Sequence, residues 1–89
     1  MLVDEIKAQM FKAMKANDTI AKEILRVAVG EITTDAARDA RKGDDEEAFG
    51  ILRKLIKAND ETIATGIEGD KRAVLERENS ILSAFLPKT

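Results

Sequence analysis

Four consecutive carboxylates, Asp44, Asp45, Glu46 and Glu47, are the densest set of chemically capable side chains in the sequence. Neighbouring carboxylates can hold a divalent cation, but a Ca²⁺ loop needs oxygen ligands at alternate positions and a glycine turn. No such spacing surrounds this run. Directly before an apolar-periodic stretch it matches the start of a helix, where a cap and negative charge are favoured. Hydroxyl groups are available at Thr19, Thr33, Thr34, Thr62, Thr65, Ser80, Ser83 and Thr89, yet histidine and cysteine are both absent. A hydroxyl nucleophile needs a base within reach, and nothing in the spacing assigns a lysine to that task. The segment "GIEG" lacks the strand and lysine of a phosphate-binding loop. No catalytic, cofactor-binding or metal-ligating set is expected.

Two basic clusters are more informative. Lys12 and Lys15 lie close together near the start, and Arg53, Lys54 and Lys57 lie together further on, with Arg53 and Lys57 one helical turn apart. Such a strip can meet RNA phosphates. It can equally be a solvated helix face with mixed-sign pairs such as Glu23 with Arg26. Three phenylalanines and no Trp or Tyr offer no base-stacking platform. A further candidate is apolar: Phe11, Met14 and Phe49 either form a site for a partner helix outside the main apolar stripes or, as is more common for such residues, widen the interior face.

The elements that must position these residues follow from composition and periodicity. The 89 residues suffice for one domain, and 44% of them are hydrophobic. With 15 basic and 17 acidic residues the net charge is −2, so the strongly cationic composition of many nucleic-acid binders is missing. Absence of cysteine suits a reducing compartment. No apolar run approaches a membrane span, and "MLVDEIKAQM" places acids where a signal peptide would be basic. A soluble cytoplasmic protein without membrane contact is expected.

Ala, Leu, Glu, Lys and Ile dominate, and apolar residues recur at three- and four-residue steps. This predicts an all-α fold, a small antiparallel bundle-like domain of three or four helices, over residues 3–16, 19–40, 45–67 and 70–86. Asp18 is the expected cap of the second helix, Asp44 or Asp45 that of the third, and Gly43 a stop. Ile20, Ile24, Leu25, Val27, Ala28 and Ile32 are expected to form a broad apolar face of the second helix, and Gly30 inside it to allow a close helix contact. The second helix also loses its large apolar residues after Ile32 and is expected to project or fray. "KANDTI" at residues 15–20 nearly repeats as "KANDETI" at residues 57–63. Helix length requires a break at the first copy, because the fused helix would span about 60 Å. At Asn59–Asp60 the local signals leave a straight and a broken helix equally open.

Taken in order, "FKAMKAND", "ILRVAVGEI", "DDEEAFGILRKLIKANDETI" and "LERENSILSAFLPK" resemble the N-terminal helical domain of the GatB/YqeY family over nearly the whole chain. The resemblance implies an all-α domain with a third helix continuous through Asn59. It also implies a non-catalytic binding module linked to tRNA or to an aminoacyl-tRNA amidotransferase subunit, with contacts from Lys12, Lys15, Arg53, Lys54 and Lys57. A glutamine-dependent carbon–nitrogen ligase activity follows from the family label alone; this chain has no nucleophilic cysteine and no ATP loop. Where the family usually carries a basic pair, this chain has Asn59 and Asp60. Its tail domain, which in the family follows Leu-Pro-Lys, is absent from these residues. The alternative is a protein–protein adaptor or oligomerising domain that docks through an apolar helix face.

Overall fold

Helix α1 (Leu2–Lys15) carries Asp4 and Glu5 in its first turn and Lys12 and Lys15 in its last, charges that suit the two ends of the helix dipole. It ends where Asn17 turns to φ 58, a left-handed conformation that asparagine tolerates. The Asn17 amide donates to the Met14 carbonyl and the Asp18 amide to the Ala13 carbonyl at 2.9 Å, the bonding pattern of a Schellman stop. Asp18 then starts α2 (Thr19–Arg38): its Oδ1 accepts from the Ala21 amide at 3.1 Å. One Asn-Asp pair therefore closes one helix and opens the next, as expected.

The computed structural model describes residues 2–38 and 45–86. The expected stop at Gly43, the cap at Asp44 and the far end of the second helix lie outside those residues. Helix α3 (Asp45–Ala64) runs through the second "KAND" without a break, which settles the open alternative. It ends three residues before the expected Ile67, because Gly66 takes φ 97 and the chain reverses through Gly69 at φ 76. Helix α4 (Asp70–Ser83) also stops short of Leu86. There the amides of Phe85 and Leu86 bond to the Leu82 and Ser83 carbonyls in tight turns.

Among the described residues every element is a helix. α1 packs on α2, α3 on α4, and α2 touches all three others. Ile6, Leu25, Ile32, Leu52 and Leu82, drawn from all four helices, are the largest fully buried side chains. Leu2, Ile24, Ala28, Ala48 and Ile51 complete the cluster.

Two expectations are corrected and a third is refined. Gly30 makes no close helix contact: a Cβ there would meet nothing within 4 Å. It lies on the exposed side of α2, and its carbonyl accepts from the Thr33 and Thr34 hydroxyls. Val27, read as part of the buried face of the second helix, is 47% exposed. Asp45 is the first residue of α3, yet its Oδ1 accepts from the backbone amide of Leu2 at 2.8 Å. One carboxylate thus holds the N-terminus of α1 against that of α3 and supplies negative charge to both.

Candidate functional site

The basic residues singled out by the sequence are not gathered into one cluster. Lys54 Nζ lies 3.8 Å from Glu31 Oε1, across from α3 to α2. The Arg53 guanidinium stands 5.9 Å from the centroid of the Phe49 ring, within cation–π range. Lys57 is exposed, and so are Lys12 and Lys15 at the end of α1. None of these three forms an ion pair with another described residue.

Asp45 of the acidic run and five of the hydroxyls bond to the backbone. Asp45 is bound to Leu2. Thr33, Thr34, Thr62 and Ser83 donate to carbonyls three or four residues back in their own helices, and Thr65, just past the end of α3, donates to the Thr62 carbonyl, a local bonding habit of such residues. Among the described residues, no group of three or more acidic side chains could hold a metal ion.

What the structure does build is a groove of about 550 Å³ between α1, α2 and α4. Ala13, Ala21, Leu25, Ile81, Ala84 and Phe85 supply apolar walls, while Gln9, Lys12, Asp18 and Arg77 supply the polar ones. The alanines explain the groove: where three helices meet, small side chains leave the space that Leu or Met would fill. Arg77 is held in place, its Nη2 donating to Asp18 Oδ2 at 3.0 Å. Because Asp18 Oδ1 is occupied by the α2 amide, the carboxylate works as a two-sided clamp that fixes α4 against the start of α2. Lys12 is the cation on this rim without a described partner. Of the five basic candidates it alone lines the groove.

Arg77 escaped the sequence reading, as did the contacts of Asn59 and Asp60. Asn59 Nδ2 donates to Glu78 Oε1 at 3.1 Å and to Asn79 Oδ1 at 3.0 Å, and Asn79 Nδ2 donates to Asp60 Oδ1 at 2.9 Å. These four side chains zip α3 to α4. Asp18 was legible as a cap; its link to Arg77, 59 residues away, has no local signal. Of the apolar candidates, Phe49 packs against the core, whereas Phe11 and Met14 stay 55% and 49% exposed.

Among the described residues, no helix is long and apolar enough to cross a membrane. The family model of Yqey-like proteins matches residues 3–89, and the chain belongs to that family. No curated protein and no solved structure matches it.

Proposed function

We propose that this YqeY-like domain is a non-catalytic binding module that docks on a subunit of a tRNA-dependent amidotransferase through the groove between α1, α2 and α4. The single observation that carries the reading is the character of that groove. It has apolar walls with Lys12 and the clamped Arg77 at the rim, the pattern of a surface that receives a protein element by apolar anchoring and charge. The identity of the partner rests on the family resemblance and on nothing in the groove itself.

A second reading is tRNA contact through Lys12, Lys15 and Lys57, favoured by their exposure and lack of described ion pairs. It ranks second because Lys54 already faces Glu31 and Arg53 faces Phe49. A phosphate-tracking surface would present such groups together.

One pair of measurements separates them. Purified amidotransferase titrated into the labelled domain, after nuclease treatment, is expected to bind. Filling the groove with Ala84→Arg is expected to weaken that binding tenfold or more. Labelled tRNA titrated at two salt concentrations is expected to show little affinity. Steeply salt-dependent tRNA binding, lost in Lys12→Glu/Lys15→Glu, with no nuclease-resistant protein contact, would overturn the proposal in favour of the second reading.

A further inference from the structure

The apolar openings of the molecule differ in charge. A cleft of about 400 Å³ at the tip of the α3–α4 hairpin is lined by Ile67, Val74 and Leu75, with one carboxylate and one ammonium beside them, Asp70 and Lys71. Its lining favours neither sign. In the groove between α1, α2 and α4 the charged side chains are Lys12, Arg77 and Asp18. Arg77 and Asp18 neutralise each other at 3.0 Å, and the other Asp18 oxygen is taken by the Ala21 amide. Lys12 pairs with none of the described residues. The groove lining therefore carries one uncompensated positive charge.

Its shape is equally specific. Among the described residues α1 and α4 both pack on α2 but not on each other, which leaves a trough between them. The buried Ala13, Ala21 and Leu25 form its floor. Gln9, Lys12 and Ala16 follow at three- and four-residue steps along one wall, and Arg77, Ile81 and Phe85 at four-residue steps along the other. Residues so spaced share a helix face. Each wall runs for about seven or eight residues, roughly 10–12 Å at 1.5 Å per residue, which is about two helical turns.

Floor and walls are helical, with their backbone groups bonded internally. An extended peptide laid on the apolar floor would leave its own amides and carbonyls without partners. A helix arrives with its backbone already bonded, and the alanines let it approach closely. We infer, on the reading of the groove as a docking site, that it receives a short amphipathic helix of a partner protein, with apolar anchors at i, i+4 and i+7 and a carboxylate set against Lys12. The anchors supply most of the affinity, and Lys12 selects the partner and its orientation.

Selection from a displayed peptide library, with the full chain as bait, tests it. Half the library is built as amphipathic helices and half carries prolines that prevent helix formation; Glu and Lys occur equally in both. Helices with a Glu beside the apolar stripe are expected to be enriched. The most enriched peptide is expected to bind Ala84→Arg, altered at an exposed position, tenfold or more weakly. Lys12→Glu is expected to weaken it about fivefold, and changing the peptide Glu to Lys to restore binding to that variant. Lys15→Glu, outside the groove, is expected to change it less than twofold. No enrichment, enrichment of the proline half or of Lys-bearing helices, or indifference to Lys12→Glu overturns the inference. So does a wild-type chain that sediments as a dimer and becomes monomeric as Ala84→Arg, because a second copy then fills the groove. The amidotransferase reading fails separately: purified amidotransferase that binds wild-type and Ala84→Arg chains equally does not use the groove, whatever the library yields. If Ala84→Arg abolishes that binding while no acidic helix is enriched, the docking site stands and the acidic helix falls.

Discussion

The α3–α4 hairpin is built in two ways along its length. Its lower half, from Ala48 to Leu52 on α3 and around Leu82 on α4, is part of the dry core with Ile6, Leu25 and Ile32. Its upper half has no fully buried side chain: Ile63, Ile67, Val74 and Leu75 are all half-buried. There the helices are held by the Asn59–Glu78 and Asn59–Asn79–Asp60 bonds. Apolar burial is non-directional and scales with area, so the lower half needs only the right volume at each position. Hydrogen bonds at a partly wet surface add little net energy but demand geometry. The upper half is therefore specified more than it is stabilised, and it is the half that presents an open apolar cleft.

Six substitutions break or sharpen this contrast. Leu52→Ala, at the fully buried end, is expected to cost about 2–5 kcal/mol, a large share of the stability of so small a domain. Ile63→Ala, in the half-buried upper part, is expected to cost clearly less; urea denaturation of the pair gives the difference directly. If the two cost the same, the division of the hairpin fails. Asp18→Ala removes the cap of α2 and releases Arg77. A loss of about 1–2 kcal/mol is expected, nearly all of it from the cap, because the ion pair is surface-exposed. Arg77→Ala should accordingly cost far less, and thermal melts of both variants decide it.

Asn79→Ala cuts the polar zipper and is expected to cost about 1 kcal/mol. The sharper readout is amide hydrogen exchange: faster exchange at the hairpin tip, with the amides around Leu25 and Leu52 unchanged. Equal acceleration in both regions would mean that the hairpin is one cooperative unit. The smallest effect has the opposite sign. Gly30→Ala places a methyl where nothing lies within 4 Å, so the better helix propensity of alanine should raise stability by about 0.5–1 kcal/mol. A loss of stability there would restore the close contact that the structure denies.

Much of the fold was legible because it is local. The helix-favouring composition, the apolar stripes and the Asn17–Asp18 stop each act within a few residues, and each predicted element was found. The errors have physical causes. The third and fourth helices were read too long because apolar residues such as Ile67 and Phe85 continue the stripe beyond the glycine turn and the last helical bond. Gly30 was read as a contact point from its position on the chain, although its side of α2 faces no neighbour. The site was far less legible. Lys12 was singled out for its charge, but the groove it borders is made by alanines, whose smallness has consequence only once three helices meet.

The two Asn-Asp pairs show where local chemistry stops deciding. At Asn17–Asp18 the left-handed turn and the cap use backbone groups within five residues, so the sequence alone carried the break. At Asn59–Asp60 nearly the same residues stay helical. Their side chains instead meet Asn79 and Glu78 across the hairpin, partners about 20 residues away that no local pattern announces. Side-chain amides and carboxylates bond to whatever polar group is brought within reach, and only the packing of α4 on α3 decided which group that would be.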